Sequence, residues 1–324
     1  MHKNIPCNLC ECSEHRLLFK VKDLNYRTTD EEFNLVKCRQ CGLIYLNPQP
    51  QDMARYYPTS YAQYVPAGKG SGFKRDIAAA FKIFYNVNNG KTATIGKKIK
   101  YLHRLLEILV QDRFFLYRIQ YSRDKKILDV GCGNGSYLIG LKSLGWNAEK
   151  QLYGIDFKSP VLQELKEQEQ INTMEGNFID IDLPKNFFDV VTFRHVLEHF
   201  PDPLLALKKA YTILKSGGSI LIDVPNFRSI EALLLFKDKW FAIEAPRHLY
   251  HYSPATLMGL LNKAGFIVEK IYLQKNSDSF KKSLKNYGCK NPSKHIEKYL
   301  IRNLLKVFKL FGFSGEMLCR AVKR

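Results

Sequence analysis

No apolar run in this 324-residue chain approaches the roughly 18 residues that a membrane-spanning helix needs. Residues Met1 to Cys12 are polar and lack the apolar stretch of a secretory leader. Neither a membrane-spanning nor a secreted protein is expected, and the cytoplasm is the expected compartment. Internal repeats are absent. Acidic residues are scarce beside basic ones: 31 Asp and Glu face 50 Lys and Arg, a net charge of +19. The surplus is uneven. Residues 263–324 carry +11 and residues 51–124 carry +8, while 125–262 carry −1 and 1–50 carry +1. The middle of the chain is therefore not a basic active site. Its flanks suit an anionic surface, either nucleic acid or membrane, or serve solubility alone.

What is present is an ordinary globular composition, 45% apolar and 13% aromatic, in a chain long enough for a catalytic domain plus accessory pieces. Four of the eight cysteines form two C-x-x-C pairs, Cys7 with Cys10 and Cys38 with Cys41. In a reducing compartment such pairs indicate a metal rather than disulfides. Four thiolates suit a tetrahedral, structural Zn²⁺, and Gly42 permits the tight turn that follows the second pair. The 27-residue gap fits a ribbon with a long hairpin. Cys12 lies near, but its C-x-C spacing from Cys10 is less suited to the site. Residues 1–50 are expected to form this zinc-ribbon module.

Residues 51–124 suggest a helical, substrate-side linker, with Ile95, Ile99, Leu102, Leu106 and Leu109 at helical spacing. From residue 125 to 275 the pattern alternates. Strands are expected at Lys126–Val130, Gln151–Ile155, Val190–Phe193 and Ser219–Val224, with helices at Tyr137–Leu144, Pro160–Gln170 and Pro203–Leu214. Asp202-Pro203 is a helix start, with Asp as cap and Pro in the first turn. The run Ala255–Lys263 followed by Ala264-Gly265-Phe266-Ile267-Val268 suggests one more helix and a last strand. Such alternation argues for a parallel sheet covered by helices on both faces. Residues 276–324 are expected to form a basic helical tail.

The strongest chemical signal is Ile127-Leu128-Asp129-Val130-Gly131-Cys132-Gly133-Asn134-Gly135-Ser136, a buried strand, a glycine turn and a helix start. Glycines let the backbone turn tightly and approach a ligand closely. No Gly-Lys-Ser/Thr follows, which excludes a phosphate-binding loop. Asp156 ends the next strand, 21 residues after Gly135. A carboxylate there can accept both hydroxyls of a ribose. Together these residues resemble class I S-adenosylmethionine-dependent methyltransferases. The resemblance implies an α/β, Rossmann-like, seven-stranded, mostly parallel sheet with helices on both faces, the zinc ribbon and helical flanks lying outside it. It implies that Asp129, Gly131, Gly133 and Gly135 line the methionine end of S-adenosylmethionine and that Asp156 holds its ribose. Gly176-Asn177-Phe178 stands where the family places its adenine contacts. Asn177 replaces the commoner acid, and its amide oxygen can still accept from an amino group.

After the fourth expected strand comes Arg194-His195-Val196-Leu197-Glu198-His199-Phe200-Pro201-Asp202-Pro203. This H-V-L-E-H segment resembles small-molecule and lipid-precursor methyltransferases, where His195 would border cofactor and acceptor. Glu198 and His199 either join them or simply fix the loop. Methylases of nucleobase amines carry Asn/Asp-Pro-Pro-Tyr/Phe here and pyrimidine C5 enzymes Pro-Cys, and neither is present. Downstream, Val224-Pro225-Asn226 and Pro246-Arg247-His248-Leu249-Tyr250-His251-Tyr252-Ser253-Pro254 resemble bacterial methyltransferases of cell-envelope and polysaccharide gene clusters. The implied reaction is methyl transfer to a hydroxyl of a small or lipid-linked glycan precursor. A histidine suits the proton transfer, with His248 the leading candidate and Tyr250 and His251 beside it. Two other readings stay open. One is an RNA methyltransferase, since a family of ribosomal RNA guanine methyltransferases also has an N-terminal zinc ribbon. The other is a module that binds the cofactor without catalysis.

The tail offers a last pattern. Read as one helix, Ile296–Phe311 places Ile296, Leu300, Leu304, Val307, Phe308 and Phe311 on one stripe, and Lys298, Arg302, Lys306 and Lys309 on another. The stripe either packs on the domain or lies in an anionic membrane surface, which would make the protein peripheral at the inner face.

Overall fold

The computed structural model describes residues 2–58, 119–157, 160–289, 293 and 296–324. The expected linker helix, with Ile95 to Leu109, lies outside the described residues. The chain forms two compact units. One is Met1–Tyr61 with Leu183–Asn186 and Phe193–Arg324; the other is Ala62–Asp182 with Phe187–Thr192.

The N-terminal strands are β1 (His2–Lys3), β2 (His15–Val21), β3 (Phe33–Cys38), β4 (Ile44–Leu46) and β5 (Gln49–Pro50). After them come β6 (Ile127–Val130), β7 (Leu152–Asp156), β8 (Asn172–Glu175), β9 (Phe188–Arg194), β10 (Leu214–Pro225), β11 (Tyr250–His251), β12 (Ile267–Gln274) and β13 (Glu316–Val322). Seven strands form the main sheet in the order β12-β13-β10-β9-β6-β7-β8. β6, β7 and β8 pair in parallel, whereas β13 runs antiparallel to both β10 and β12. The sheet is the mostly parallel, Rossmann-like one that the alternation implies.

The local reasons are visible in the sequence. Ile127, Leu128 and Val130 of β6 are buried, as a strand inside a helix-covered sheet requires. The helix Pro203–Ile213 starts where Asp202 accepts from Leu205 N at 2.9 Å. The helix Pro254–Lys263 starts with a Ser253–Thr256 capping box. β8 was not evident from pattern because it is an edge strand whose four residues are all part-exposed or exposed.

Two expectations on organisation change. Residues 276–324 are not a wholly helical tail. After the helices Ser277–Asn286 and Arg302–Leu310 the chain returns as β13, between β10 and β12, so the sheet extends beyond residue 275. The alternation Met317, Leu318, Cys319 and Ala321 is fully apolar, and all four are buried. Nor are residues 1–50 a self-standing ribbon. β2, β3 and β4 form a four-stranded antiparallel sheet whose remaining strand is β11, with Tyr250 opposite Tyr45 and His251 opposite Ile44. The partner strand lies some 200 residues away in sequence, which no local pattern can reveal.

The amphipathic tail segment is helical in two parts, Ile296–Ile301 and Arg302–Leu310. Its buried face is Ile301, Leu305 and Phe308. Of the stripe read from the sequence, Ile296, Leu300, Leu304, Val307 and Phe311 are exposed and only Phe308 packs inward. No helix among the described residues is long and apolar enough to cross a membrane.

Candidate active site

The glycine loop leaves the end of β6. Gly131, Gly133 and Gly135 all have positive φ, at 69°, 52° and 67°. At Gly135 a side chain is doubly excluded, because a Cβ would also stand 2.3 Å from the Leu165 side chain. Asp156, at the end of β7, is buried and braces this loop. Its Oδ2 accepts from Gly133 N at 2.6 Å and its Oδ1 from Phe157 N at 2.7 Å. Burial pushes its carboxyl up from the usual range, against those two bonds. Asp129 is buried and accepts from Thr192 Oγ1 of β9 at 2.6 Å. Gly176 N donates to Asp156 O at 2.8 Å, which brings the 176–178 segment beside Asp156. Asn177 is engaged locally, donating to Asp180 and accepting from Ile179 N. The Phe178 ring is buried. The loop offers a close backbone approach and each Asp156 oxygen keeps a lone pair, so the residues fit S-adenosylmethionine.

A second polar group is assembled within the other unit. His195 follows β9 with φ 52°, a left-handed conformation that is costly for a residue with a Cβ. Its amide donates to Asp223 O at 2.8 Å. Its Nδ1 lies 3.7 Å from Glu198 and its Nε2 3.8 Å from Glu316. Burial works against charge on His195, but Glu198, Asp223 and Glu316 outweigh it and push the imidazole up to about 10. At neutral pH His195 is therefore a cation rather than a base. Burial likewise raises the carboxyls of Asp223 and Glu316.

His248 is buried and 3.9 Å from both Glu198 Oε1 and Glu244 Oε2. His199 stands at its edge, ring centroids 4.6 Å apart. Burial and the neighbouring His248 lower His199 to about 4, so it is neutral. Glu198 is fully buried. Burial pushes its carboxyl up, yet His195 beside it prevails and holds it at about 2. Tyr250, expected beside the base, is turned elsewhere. Its hydroxyl donates to Pro201 O at 3.1 Å and its ring stacks on Tyr45. His251 is buried, and burial lowers it to about 3.

Arg247, the residue before His248, was not singled out by the sequence. It is fully buried and makes a two-pronged ion pair with Asp23, at 2.6 and 3.0 Å. It also donates to Tyr56 O and Glu244 Oε1. Burial opposes ionisation of Asp23, but Arg247 and Thr28 hold its carboxyl down at about 2. Asp23 has no motif around it; only its partner lies in a recognisable segment.

The four thiols expected to hold a metal converge. Cys7 and Cys41 Sγ lie 3.3 Å apart and Cys10 and Cys38 Sγ 3.5 Å, all four within 4.8 Å of one another. Gly42 follows with φ 76°, and Cys12 stays outside, with its thiol toward Glu14 O.

Residues 99–271 match a family model described as a methyltransferase domain, which is more than half of the chain. A demethylmenaquinone methyltransferase from Geobacillus sp. (strain WCH70) is 35% identical over 111 residues, covering 32% of this chain and 47% of that protein. Another, from Staphylococcus aureus (strain MRSA252), is 31% identical over 147 residues, covering 40% and 60%. The chain thus spans about half the length of these curated relatives. A solved SAM dependent methyltransferase from Archaeoglobus fulgidus is 21% identical with a TM-score of 0.44, covering 74% of this chain and 99% of that one. With the family match, the glycine loop and Asp156 in place, the chain belongs to the methyltransferase domain family.

Proposed function

We propose that this methyltransferase acts on a hydroxyl of a small, lipid-like or lipid-linked acceptor, such as a glycan or cell-envelope precursor. The observation that carries this reading is the His195–Glu198–His199–His248 cluster, built around buried Glu198 and His248, which begins one residue beyond β9. Methyl transfer to oxygen releases the hydroxyl proton, and a desolvated group of imidazoles and carboxylates is suited to take it. The names of the relatives, which give demethylmenaquinone as acceptor, agree with a small lipid-like molecule.

When bound, S-adenosylmethionine supplies a methyl group on a sulfonium. The residues of this chain then hold and orient it: Asp129, Gly131, Gly133 and Gly135 at the methionine end, Asp156 at the ribose, and Asn177 and Phe178 at the adenine. His248 serves the loss of the acceptor proton from within the cluster, and cationic His195 favours the anion that forms. Tyr250 supports the fold of this segment. Cys7, Cys10, Cys38 and Cys41 hold a structural Zn²⁺.

The exposed stripe on the tail adds a docking surface for an anionic membrane. Leu300 is 66% and Phe311 68% exposed, and Arg302 and Lys306 are exposed in the same helical stretch. Each such cation contributes about 1 kcal/mol near an anionic leaflet. On this reading the protein works in the cytoplasm, peripheral at the inner face of the membrane, where a lipid-linked acceptor resides.

The test is to incubate the protein with radiolabelled S-adenosylmethionine and separate cell extracts, one of lipids and lipid-linked glycans, one of total RNA. Label is expected in the lipid fraction. Label in RNA alone would replace this reading with an RNA methyltransferase, and label in neither would leave a cofactor-binding module. In parallel, the protein should bind anionic but not neutral vesicles, less so in high salt. Indifference to anionic vesicles at low salt would remove the membrane surface.

A further inference from the structure

Glu198 has no exposed surface, and neither of its carboxylate oxygens has a hydrogen-bond partner among the described residues. A buried anion left so is costly unless something cationic faces it. What faces it, besides the His195 ring at 3.7 Å, is a set of imidazole nitrogens held in a particular orientation. His248 Nδ1 lies 2.8 Å from Ala242 O. A carbonyl can only accept, so Nδ1 carries the proton, and in the neutral ring the lone pair is on Nε2. That Nε2 is the atom 3.9 Å from Glu198 Oε1. His199 repeats the arrangement. Its Nδ1 lies 3.0 Å from Arg247 O, which leaves the Nε2 lone pair free. His248 Nε2 therefore faces the carboxylate across a gap too long for a hydrogen bond.

We propose that Glu198, His199 and His248 form a second metal site, distinct from the four cysteines, that binds Zn²⁺. The three side chains can each offer one ligand atom, and these atoms all lie within 4.8 Å of one another. Two imidazoles and one carboxylate are a donor set for zinc, and three protein ligands leave a fourth position for an oxygen. The outer contacts are also those of a metal site. Each histidine donates its other nitrogen to a backbone carbonyl, which sets tautomer and ring angle. Arg247, whose carbonyl orients His199, is itself fixed by Asp23 and Glu244. Tyr57 adds a hydroxyl 3.0 Å from the same His199 nitrogen.

The existence of the site does not depend on the proposed acceptor; its role does. An acceptor hydroxyl bound in the fourth position would lose its proton more readily, and His248 would then serve the reaction as a ligand.

Metal content of protein purified without chelators is the test, read by elemental mass spectrometry after equilibration with Zn²⁺ and removal of the free ion. Two zinc ions per chain are expected. His248→Gln should leave one, and Cys38→Ser should leave the other one. Because Cys38→Ser can unfold the N-terminal strands, Co²⁺ substitution of the native chain gives a second readout. Two populations are expected, one with intense thiolate charge-transfer absorption and one without, and only the latter should vanish in His248→Gln. One metal per chain, unchanged in a folded His248→Gln variant, overturns the site. If two ions bind but label never enters the lipid fraction, the acceptor reading fails and the site stands. If label enters with a single ion bound, the site fails and the acceptor reading stands.

Discussion

The glycine loop and the His–Glu cluster differ in how their parts are drawn from the chain. Asp129, the three loop glycines and Asp156 lie within one β6–helix–β7 stretch, and the bond from Gly133 N to Asp156 closes over 23 residues, although Asp129 also accepts from Thr192 of β9. The cluster draws on Tyr57, on His195 to His199, on Glu244 to His251 and on Glu316, and Arg247 is anchored by Asp23 across 224 residues. The loop contact is satisfied on the spot, backbone to carboxylate. In the cluster, Glu198, Asp223 and His251 keep buried polar atoms without hydrogen-bond partners among the described residues. A short loop can meet its own polar needs, whereas groups delivered from several segments meet only when the whole unit has folded, and they leave atoms for a ligand to satisfy.

This contrast can be broken or sharpened by substitution. The largest effect is expected at His248. His248→Ala should lower turnover roughly 10²–10⁴-fold while leaving S-adenosylmethionine affinity almost unchanged. Steady-state kinetics with the true acceptor, beside calorimetry of cofactor binding, checks both halves. Near-normal turnover would reduce His248 to a packing residue. Next is Arg247→Ala, which leaves the Asp23 carboxylate buried and unpaired. The expected loss is about 3–5 kcal/mol of stability, read as a lower urea midpoint. A loss under about 1 kcal/mol would mean that the long-range anchor is dispensable.

On the local side, Asp156→Ala should weaken S-adenosylmethionine binding by about 1.5–3 kcal/mol, the worth of charge-assisted hydrogen bonds. Unchanged affinity in calorimetry would confine Asp156 to bracing the loop. The smallest effect concerns acid. Asp23 is held at about 2 in the fold against an ordinary 3.8. A depressed carboxyl contributes stability that is present above the unfolded value and lost as pH falls through the folded one. Its share is about 2 kcal/mol, fading from near pH 4 to pH 2. Asp23→Asn should flatten that part of the stability–pH curve. An unaltered acid limb would place the acid sensitivity elsewhere.

Much of the fold was legible because its signals are local. The apolar run of β6, the glycine turn, the Asp202 cap with Pro203 and the alternation of strand and helix each act within a few residues. β8 was not legible, because an edge strand needs little burial and Asn172–Glu175 reads as polar loop. β13 hid behind a basic, helix-rich tail. Arg247 stood inside a quoted segment, but nothing near it announces that its partner is Asp23.

By itself the sequence pointed to the family. A positive-φ glycine turn between a buried strand and a helix, followed at the next strand end by a carboxylate, is a local arrangement that few chemistries need. It also determined which four thiols could converge, since C-x-x-C spacing brings each pair together before any tertiary contact forms. Only the tertiary structure decided that β11 completes the N-terminal sheet, that Tyr250 faces Pro201, that the tail stripe stays outside, and that Glu198 meets His248. Those outcomes depend on which distant segments pack together. That choice rests on burial shared over the whole unit, and no single stretch of the chain contains it.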